Sequence, residues 1–152
     1  MADDKFRKLL VDNRKARFEY EILEVYTAGI ALVGTEVKAI RAGRANLLDA
    51  FARIDKGEVV LCNAHISPME SAGVFGHNPI RTRKLLLKRR EINKLIGRVE
   101  EKGLTLVPLK LYLEKNWVKV DIGVARGKKL YDKRASIKDR ETKREVERAL
   151  KR

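Results

Sequence analysis

Cysteine is almost missing from this sequence, because Cys62 is the only one in 152 residues. A single cysteine cannot form a disulfide within the chain, which excludes a disulfide-stabilised secreted domain. Cys62 and His65 have the C-x-x-H spacing of two zinc ligands, but a structural zinc site takes about four ligands and His77 alone cannot complete the set. We therefore expect no metal or other cofactor, and we interpret Cys62 as a small buried hydrophobic residue.

Long hydrophobic runs are missing too. No stretch reaches the roughly 18 apolar residues that a membrane-spanning helix needs, and Met1–Lys8 has no apolar centre of a signal peptide. The serines close to His65 do not by themselves make a catalytic triad, because a triad is defined by geometry. We expect a cytoplasmic, monomeric protein with no membrane partner.

Acidic residues are too few to balance the basic ones. The chain has 35 Lys and Arg against 21 Asp and Glu, a formal net charge of +14, while its hydrophobic content of 44% is ordinary for a globular protein. A field of this sign attracts polyanions, so the composition points to nucleic acid or an anionic membrane surface. The length is typical of one folded domain.

Apolar residues alternate with polar ones in several short stretches and recur at helical spacing elsewhere. Alternation such as RFEYEIL at 17–23 predicts strands with one wet face, whereas Ile92, Leu95, Ile96 and Val99 form the stripe of an amphipathic helix. The predicted elements are a strand at 17–23, a turn at Ala28-Gly29, a strand at 30–33, a helix from Thr35 to Gly43, a hairpin of 48–54 and 59–62, a loop at 67–83, a helix at 88–103, and strands at 104–113 and 117–125.

Particular residues mark the ends and the exposed sides of these elements. Thr35 is suited to cap the short helix and Gly43 to end it. Pro108 cannot donate to a sheet, so it predicts an edge or a bulge in its strand. On the short helix, Lys38 and Arg41 share a side that is left for solvent or a ligand.

The arrangement of the elements predicts the fold. About six short strands, joined mostly by tight turns and without βαβ alternation, favour an antiparallel Greek-key barrel over a parallel sheet. We predict a mainly β, OB-fold-like barrel with accessory helices in residues 1–126. Residues 127–152 are predicted to form a separate basic tail.

The tail carries half of the protein's charge. From Ala125 onward the last 28 residues hold 12 Lys and Arg and 5 Asp and Glu, a net charge of +7. They offer no continuous apolar stripe, and an isolated helix of this length is marginal in water. We predict a tail that is disordered when free and becomes helical on an anionic surface. Tyr131, Tyr26 and Trp117 are candidates for base stacking, although barrel packing is the more ordinary role for Tyr26 and Trp117.

Three motifs occur in order along the chain: GIALVGTEVKAIRAGRANL, NPIRTRKLLLKRREI and GVARGKKLYDKR. Together they resemble the small protein B (SmpB) family, the tmRNA-binding proteins of bacterial ribosome rescue. The resemblance implies an OB-fold barrel without catalytic activity that binds the tRNA-like domain of tmRNA. It also implies a tail that enters the vacant messenger path of a stalled ribosome and becomes helical beside small-subunit rRNA at the decoding centre.

The resemblance also assigns roles to individual residues. The positions that it implies for tmRNA binding are Asn13, Arg14, Lys15, Arg17, Glu36, Lys38, Arg41, Arg81, Arg83, Lys84, Leu85, Leu86 and Lys128. The positions that it implies for the decoding-centre tail are Gly127, Tyr131, Asp132, Lys133, Arg134, Lys138, Arg140, Lys143 and Arg144. Lys133 and Arg134 are expected to contact phosphates, with Asp132 orienting them.

Two other functions are compatible with the same residues. A basic nuclease would need clustered carboxylates for a metal or a competent general base, whereas the acids here are mostly interleaved with Lys and Arg. A sequence-tolerant binder of single strands, using the groove of an OB barrel, would bind unstructured oligonucleotides as well as tmRNA. A membrane-surface helix is disfavoured because the tail has no broad apolar face.

Overall fold

Nine strands and three helices make up the computed structural model, which describes residues 7–68, 77–101, 103–128 and 144. The strands are β1 (Arg7–Asp12), β2 (Tyr20–Ile30), β3 (Ala45–Asn46), β4 (Phe51–Asp55), β5 (Glu58–Cys62), β6 (His65–Ile66), β7 (Arg83–Leu86), β8 (Leu104–Glu114) and β9 (Trp117–Gly127). The helices are α1 (Arg14–Glu19), α2 (Gly34–Arg41) and α3 (Arg89–Glu100).

Six of these strands close into a ring. β8 pairs with β9, and the pairing continues through β2, β7, β5 and β4 until β4 returns to β8 through Ala52 and Leu106. Every pairing in the ring is antiparallel. β1 extends the sheet along β8, and β3 with β6 forms a separate two-stranded sheet. The predicted antiparallel barrel with accessory helices is therefore confirmed.

Alternation along β9 supplies one wall of the barrel interior. Val118, Val120, Ile122 and Val124 are all buried, because every second side chain of a strand points to the same face of the sheet. The register of β8 against β9 shifts just after Pro108. The bulge or edge predicted at this proline is therefore present as a bulge.

Tight turns join the two predicted hairpins. β4 and β5 are connected through Lys56 and Gly57, and β8 and β9 through Lys115 and Asn116; all four residues have positive φ. Two consecutive residues with positive φ are typical of the two-residue turns that match the twist of a hairpin. Both hairpin predictions are confirmed.

The predicted amphipathic helix is confirmed as α3. Ile92 and Leu95 are buried in the barrel core, with Ile96 and Val99 packed against it at the edge. Gly103 follows the helix with φ of 84°, a conformation that glycine adopts without steric cost. Helix α3 thus adds its apolar side to the same core that the strands enclose.

Several local predictions are wrong. Residues 17–19 are helical and not extended, because Asn13 caps α1 and its Oδ1 accepts from the N–H of Ala16. Gly29 is not in a turn, because β2 continues through it. Leu48 does not belong to a strand and is 59% exposed.

The short predicted helix exists as α2, but its cap differs from the prediction. Val33 and not Thr35 is the N-cap residue, and the N–H of Val33 donates to Oε1 of Glu36 at 2.9 Å. Trp117 is 72% exposed, contrary to the expectation that it packs in the barrel. The predicted loop at 67–83 ends where Arg83 starts β7, and residues 69–76 lie outside the described part.

The barrel ends where the predicted tail begins. Gly127 pairs with Tyr20 at the end of β9, and the N–H of Lys128 donates to the carbonyl oxygen of Glu19 at 2.9 Å. Beyond Lys128 the structure describes Arg144 alone, which has helical backbone and an exposed side chain. The predicted disorder of the tail, and the positions Tyr131, Asp132, Lys133, Arg134, Lys138, Arg140 and Lys143, lie outside the described residues.

Candidate nucleic-acid interface

Glu36 lies at the centre of a cluster of charged side chains beneath α2. Glu36 and Arg83 are fully buried, and Nε of Arg83 donates to Oε2 of Glu36 at 2.6 Å. Arg81 donates from Nη2 to Oε1 of Glu36, also at 2.6 Å. Nη1 of Arg83 donates to the carbonyl oxygen of Ala64 at 2.8 Å. These bonds hold α2 against the end of β5 and the residues that lead into β7.

The cluster changes the acidity of its buried members. Burial by itself would raise the pKa of Glu36, but the hydrogen bonds from Arg81, Val33 and Arg83 outweigh it and place that pKa below its ordinary value. Burial lowers the pKa of Arg83, and the hydrogen bond to Glu36 opposes this shift. Because a guanidinium starts from a very high pKa, both side chains are charged at neutral pH and form a buried ion pair.

Helix α2 presents basic side chains on its exposed side. Lys38 and Arg41 are exposed, as the helical spacing predicts. His77 is fixed beside the helix, since Nε2 donates to the carbonyl oxygen of Ile66 at 2.7 Å and Nδ1 is hydrogen-bonded to the hydroxyl of Thr35 at 2.9 Å. An open depression of about 570 Å³ lies beside α2. It is lined by Val33, Gly34, Thr35, Lys38, His77, Asn78 and Arg81.

A second exposed area, which we name the tryptophan ledge, consists of Leu86, Gly29, Lys119 and Trp117. Gly29 pairs with Leu86 on one side and with Lys119 on the other, so the three residues form one row across three strands. Trp117 is 72% exposed and Leu86 is 54% exposed. A Cβ atom on Gly29 would lie 3.3 Å from Cβ of Leu86. Glycine avoids this close contact and places no side chain between Leu86 and Lys119. An exposed aromatic ring beside a lysine is suited to stacking a nucleobase next to a phosphate.

More basic side chains border the ledge. An open groove of about 590 Å³ shares residues with it and adds Lys84, Lys88 and Arg89. Lys84 and Arg89 lie 4.0 and 3.0 Å from carboxylate oxygens of Glu58 and are partly neutralised. Lys88 and Lys119 form no salt bridge with any residue that the structure describes. Their charge is therefore available to an anionic ligand.

The basic residues of α1 are in a different electrostatic setting, because each lies within 4 Å of an acidic side chain. The pairs are Arg14–Asp12 at 3.9 Å, Arg17–Asp12 at 3.5 Å and Lys15–Glu19 at 3.9 Å. Salt bridges as exposed as these contribute little stability, but they reduce the charge that α1 offers to a ligand. Helix α1 is thus a weaker anionic-ligand site than the surface around α2 and the tryptophan ledge.

The tryptophan ledge and the start of the tail lie at opposite ends of the barrel. Lys119 pairs with Gly29 near one end of β2, and Gly127 pairs with Tyr20 at the other end. Strand β9 is 11 residues long, so Trp117 and Gly127 are about 33 Å apart along it. The tryptophan ledge and the exit of the tail are therefore separate parts of the surface.

The structure separates the predicted tmRNA-binding residues into exposed and buried groups. The exposed or half-buried ones are Arg14, Lys15, Arg17, Lys38, Arg41, Arg81, Lys84, Leu86 and Lys128. The buried ones are Asn13, Glu36, Arg83 and Leu85, so these four side chains face the interior of the protein in this structure. Sequence reasoning missed Lys119 and the exposure of Trp117, and their shared position on the outward side of the alternating strand was the available signal.

Two other kinds of site are absent from the described residues. Within residues 7–68, 77–101 and 103–128, no group of three or more His, Cys, Asp and Glu side chains could hold a metal ion. In the same part of the chain no helix has the length and apolarity to span a membrane. Cys62 is buried with a free thiol, as expected of a small core residue.

Known proteins resemble this chain over most of its length. A family model described as SmpB protein matches residues 10–152. An SsrA-binding protein of Gloeobacter violaceus is 76% identical over 152 residues, covering 100% of both chains, and one of Acaryochloris marina is 65% identical over 146 residues, covering 95% of both. A chain of the solved structure "tmRNA-SmpB: a journey to the center of the bacterial ribosome" is 52% identical, with a TM-score of 0.67, over 78% of this chain and 84% of that one. On this evidence of sequence and fold, the chain belongs to the SmpB family.

Proposed function

We propose that this chain is a non-enzymatic RNA-binding adaptor of ribosome rescue. It binds the tRNA-like domain of tmRNA, delivers it to stalled ribosomes in the cytoplasm, and places its C-terminal tail in the vacant decoding centre and mRNA channel. Membership of the SmpB family supports the proposal, as do relatives described as SsrA-binding proteins and a similar solved chain from a tmRNA-SmpB structure.

The tryptophan ledge is the observation that carries the RNA-binding part. It combines an exposed aromatic ring, a glycine at position 29 and the charge of Lys119, which forms no salt bridge with a described residue. Lys38 and Arg41 on α2 are further exposed basic side chains. Structured RNA is recognised mainly through phosphates, shape and unstacked bases, and this surface offers groups for each of these contacts.

The separation of the ledge from Gly127 supports the second part of the proposal. A surface that holds one RNA at one end of the barrel, with the chain leaving at the other end, about 33 Å away as measured along β9, allows two RNA partners to be contacted at once. The tail carries 12 Lys and Arg against 5 Asp and Glu from Ala125 onward, which suits a channel lined by rRNA phosphates.

Selective binding is tested by comparing tmRNA with an unstructured RNA of the same length at two salt concentrations. The proposal expects tighter binding to tmRNA at both, with both affinities falling as salt rises because phosphate contacts release counterions. Equal affinities would support the alternative of a sequence-tolerant single-strand binder, which the exposure of Trp117 also suits. Metal-dependent cleavage of labelled RNA in the same samples would contradict a non-enzymatic role.

The role of the tail is tested by ending the chain after Gly127. The barrel residues are unchanged, so we expect tmRNA affinity close to that of the full chain, while peptide tagging on stalled ribosomes is abolished. Loss of tmRNA binding in the shortened chain would show that the two functions are not separable in this way.

A further inference from the structure

Two cationic side chains, Lys38 and Arg81, line the depression beside α2 together with the amide of Asn78. Among the described residues that line it there is no Asp or Glu. Lys38 forms no salt bridge with a residue in the described part of the chain. The side-chain oxygen Oδ1 of Asn78 accepts from the N–H of Ile80 at 3.0 Å, so the NH₂ group is the donor that this side chain can offer to a ligand. The charges of Lys38 and Arg81 suit an anionic ligand.

Arg81 is held in one orientation at the edge of this depression. Nη2 donates to Oε1 of Glu36 at 2.6 Å and to the carbonyl oxygen of Ala31 at 3.3 Å, and Nε lies 3.4 Å from Oε2 of Glu36. The side chain of Arg81 is 39% exposed, so part of the guanidinium still faces solvent. An arginine that is already immobilised loses less entropy when it binds an anion.

Glu36 is itself fixed from below. Arg83 is fully buried and donates to the Oε2 atom of Glu36, so the carboxylate cannot turn away from Arg81 without leaving a buried charge unpaired. Such an unpaired charge is strongly unfavourable. Arg83 therefore holds Glu36 in place, and Glu36 in turn holds Arg81.

We propose that this depression is a phosphate-binding site, in which Arg81 and Lys38 hold one backbone phosphate of the bound RNA and Glu36 is a positioning residue for Arg81. The two cationic side chains favour an anionic ligand, and the choice of an RNA phosphate as that ligand rests on the proposed function. The phosphate site is distinct from the tryptophan ledge, which is suited to bases.

Salt dependence of tmRNA binding tests the phosphate contact. Arg81→Gln and Lys38→Gln are each expected to weaken binding about tenfold at moderate salt and to reduce the slope of log affinity against log salt by about 0.7 to 0.9. Arg81→Lys keeps the charge, so it should retain the slope but lose affinity. Lys94→Gln, an exposed lysine of α3 outside the depression, is the matched control. Normal tmRNA binding with an unchanged slope in Arg81→Gln would overturn the site and leave the proposed function intact.

A titration with inorganic tripolyphosphate tests the same site without RNA. In a proton–nitrogen NMR spectrum of the full chain, the Nε–H signal that disappears in Arg81→Gln should shift saturably, and the shift should weaken in Lys38→Gln but not in Lys94→Gln. An unresponsive Arg81 signal would overturn the site even if tmRNA bound normally. Failure of wild type to prefer tmRNA would instead reject the proposed function, while the titration still decides the phosphate site.

The positioning role of Glu36 has its own readout. Glu36→Gln keeps the charges of Arg81 and Lys38, so its salt slope should equal that of wild type while the affinity per folded molecule falls. In the double variant with Arg81→Gln, no further loss is expected, because Glu36 acts through Arg81. Additive losses, or full affinity of the folded fraction of Glu36→Gln, would show that Glu36 has only a structural role.

Discussion

Glu36 and Arg83 are 47 residues apart in the chain and form a fully buried ion pair, with Nε of Arg83 2.6 Å from Oε2 of Glu36. Burial removes both groups from water, so each depends on the other and on the bonds from Arg81 and to Ala64 for compensation. The pair joins α2 to β7. Its disruption would displace the basic side of α2 relative to the rest of the barrel.

Acid should weaken the fold through Glu36. The pKa of Glu36 is lowered in the folded state, so its contribution to stability is complete above the unfolded-state value, about 4.3, and is lost as the pH falls through the lower folded-state value. Glu36→Gln should cost about 3 kcal/mol at neutral pH, and this cost should shrink as the pH falls below about 4. Urea unfolding of wild type and Glu36→Gln across about pH 3 to 7 measures this cost. A cost that does not change with pH would contradict a lowered pKa of Glu36 in the folded state.

Periodicity predicted those parts of the fold whose information is local. The alternation of Val118 with its neighbours predicts β9, and the spacing of Ile92 and Leu95 predicts α3. In both cases the spacing of the apolar residues indicates which side of the element is buried. The start of α1 was missed although its cap is local, because Oδ1 of Asn13 accepts from the N–H of Ala16. The bonds from Nδ2 of Asn13 to Leu47 and Pro108 are tertiary and could not be predicted from the sequence. Gly29 suggested a turn, although its small size serves the close approach of Leu86.

The candidate site was predictable only in part for the same reason. Exposure of Lys38 and Arg41 follows from helical spacing, since residues three apart share one side. The pairing of Glu36 with Arg83 is non-local, and no periodicity in either segment indicates it. The resemblance to a family named Glu36 as a binding residue, and the structure places it beneath the surface.

Trp117 should matter for RNA and not for folding. Its side chain is 72% exposed, so Trp117→Ala should change the free energy of unfolding by less than about 0.5 kcal/mol. Loss of a stacked base should weaken tmRNA binding by about 1 to 3 kcal/mol, and Trp117→Phe should restore part of it. Trp117 is the only tryptophan in the chain, so quenching of its emission by tmRNA reports contact at the ledge. Unquenched emission at saturating tmRNA would place the RNA elsewhere.

Gly123 lies on β9 where the side chains of Leu109 and Ile22 leave little room for a larger residue. A Cβ atom at this position would lie 3.1 Å from Cδ1 of Leu109 and 3.2 Å from Cγ2 of Ile22, and these residues belong to the small core beneath α1. Gly123→Ala should therefore destabilise the protein by about 1 to 2 kcal/mol, measured by urea unfolding. Gly97, in α3, has no neighbouring atom within 4 Å of such a Cβ. Gly97→Ala should be stabilising by up to about 1 kcal/mol, and equal effects of the two changes would refute the steric explanation.

Asn13 should act on the fold and not directly on RNA. It is buried, and its Nδ2 donates to the carbonyl oxygens of Pro108 at 2.9 Å and Leu47 at 3.2 Å. Asn13→Ala leaves both carbonyls without this donor, so we expect a loss of about 2 to 3 kcal/mol in the free energy of unfolding. Asn93→Ala, on the exposed side of α3, should be neutral or slightly stabilising and serves as the control.

Binding of tmRNA by Asn13→Ala decides what Asn13 contributes to the tmRNA-binding site that the family resemblance implies. If its role is to anchor α1, the folded fraction of Asn13→Ala should bind tmRNA with a salt slope equal to that of wild type, because no phosphate contact is removed. Asn13→Asp should be at least as destabilising, since a carboxylate cannot donate to Pro108 or Leu47. A reduced salt slope in a stably folded Asn13→Ala protein would mean that this buried amide becomes exposed when RNA binds, and α1 would then have to move to let it do so.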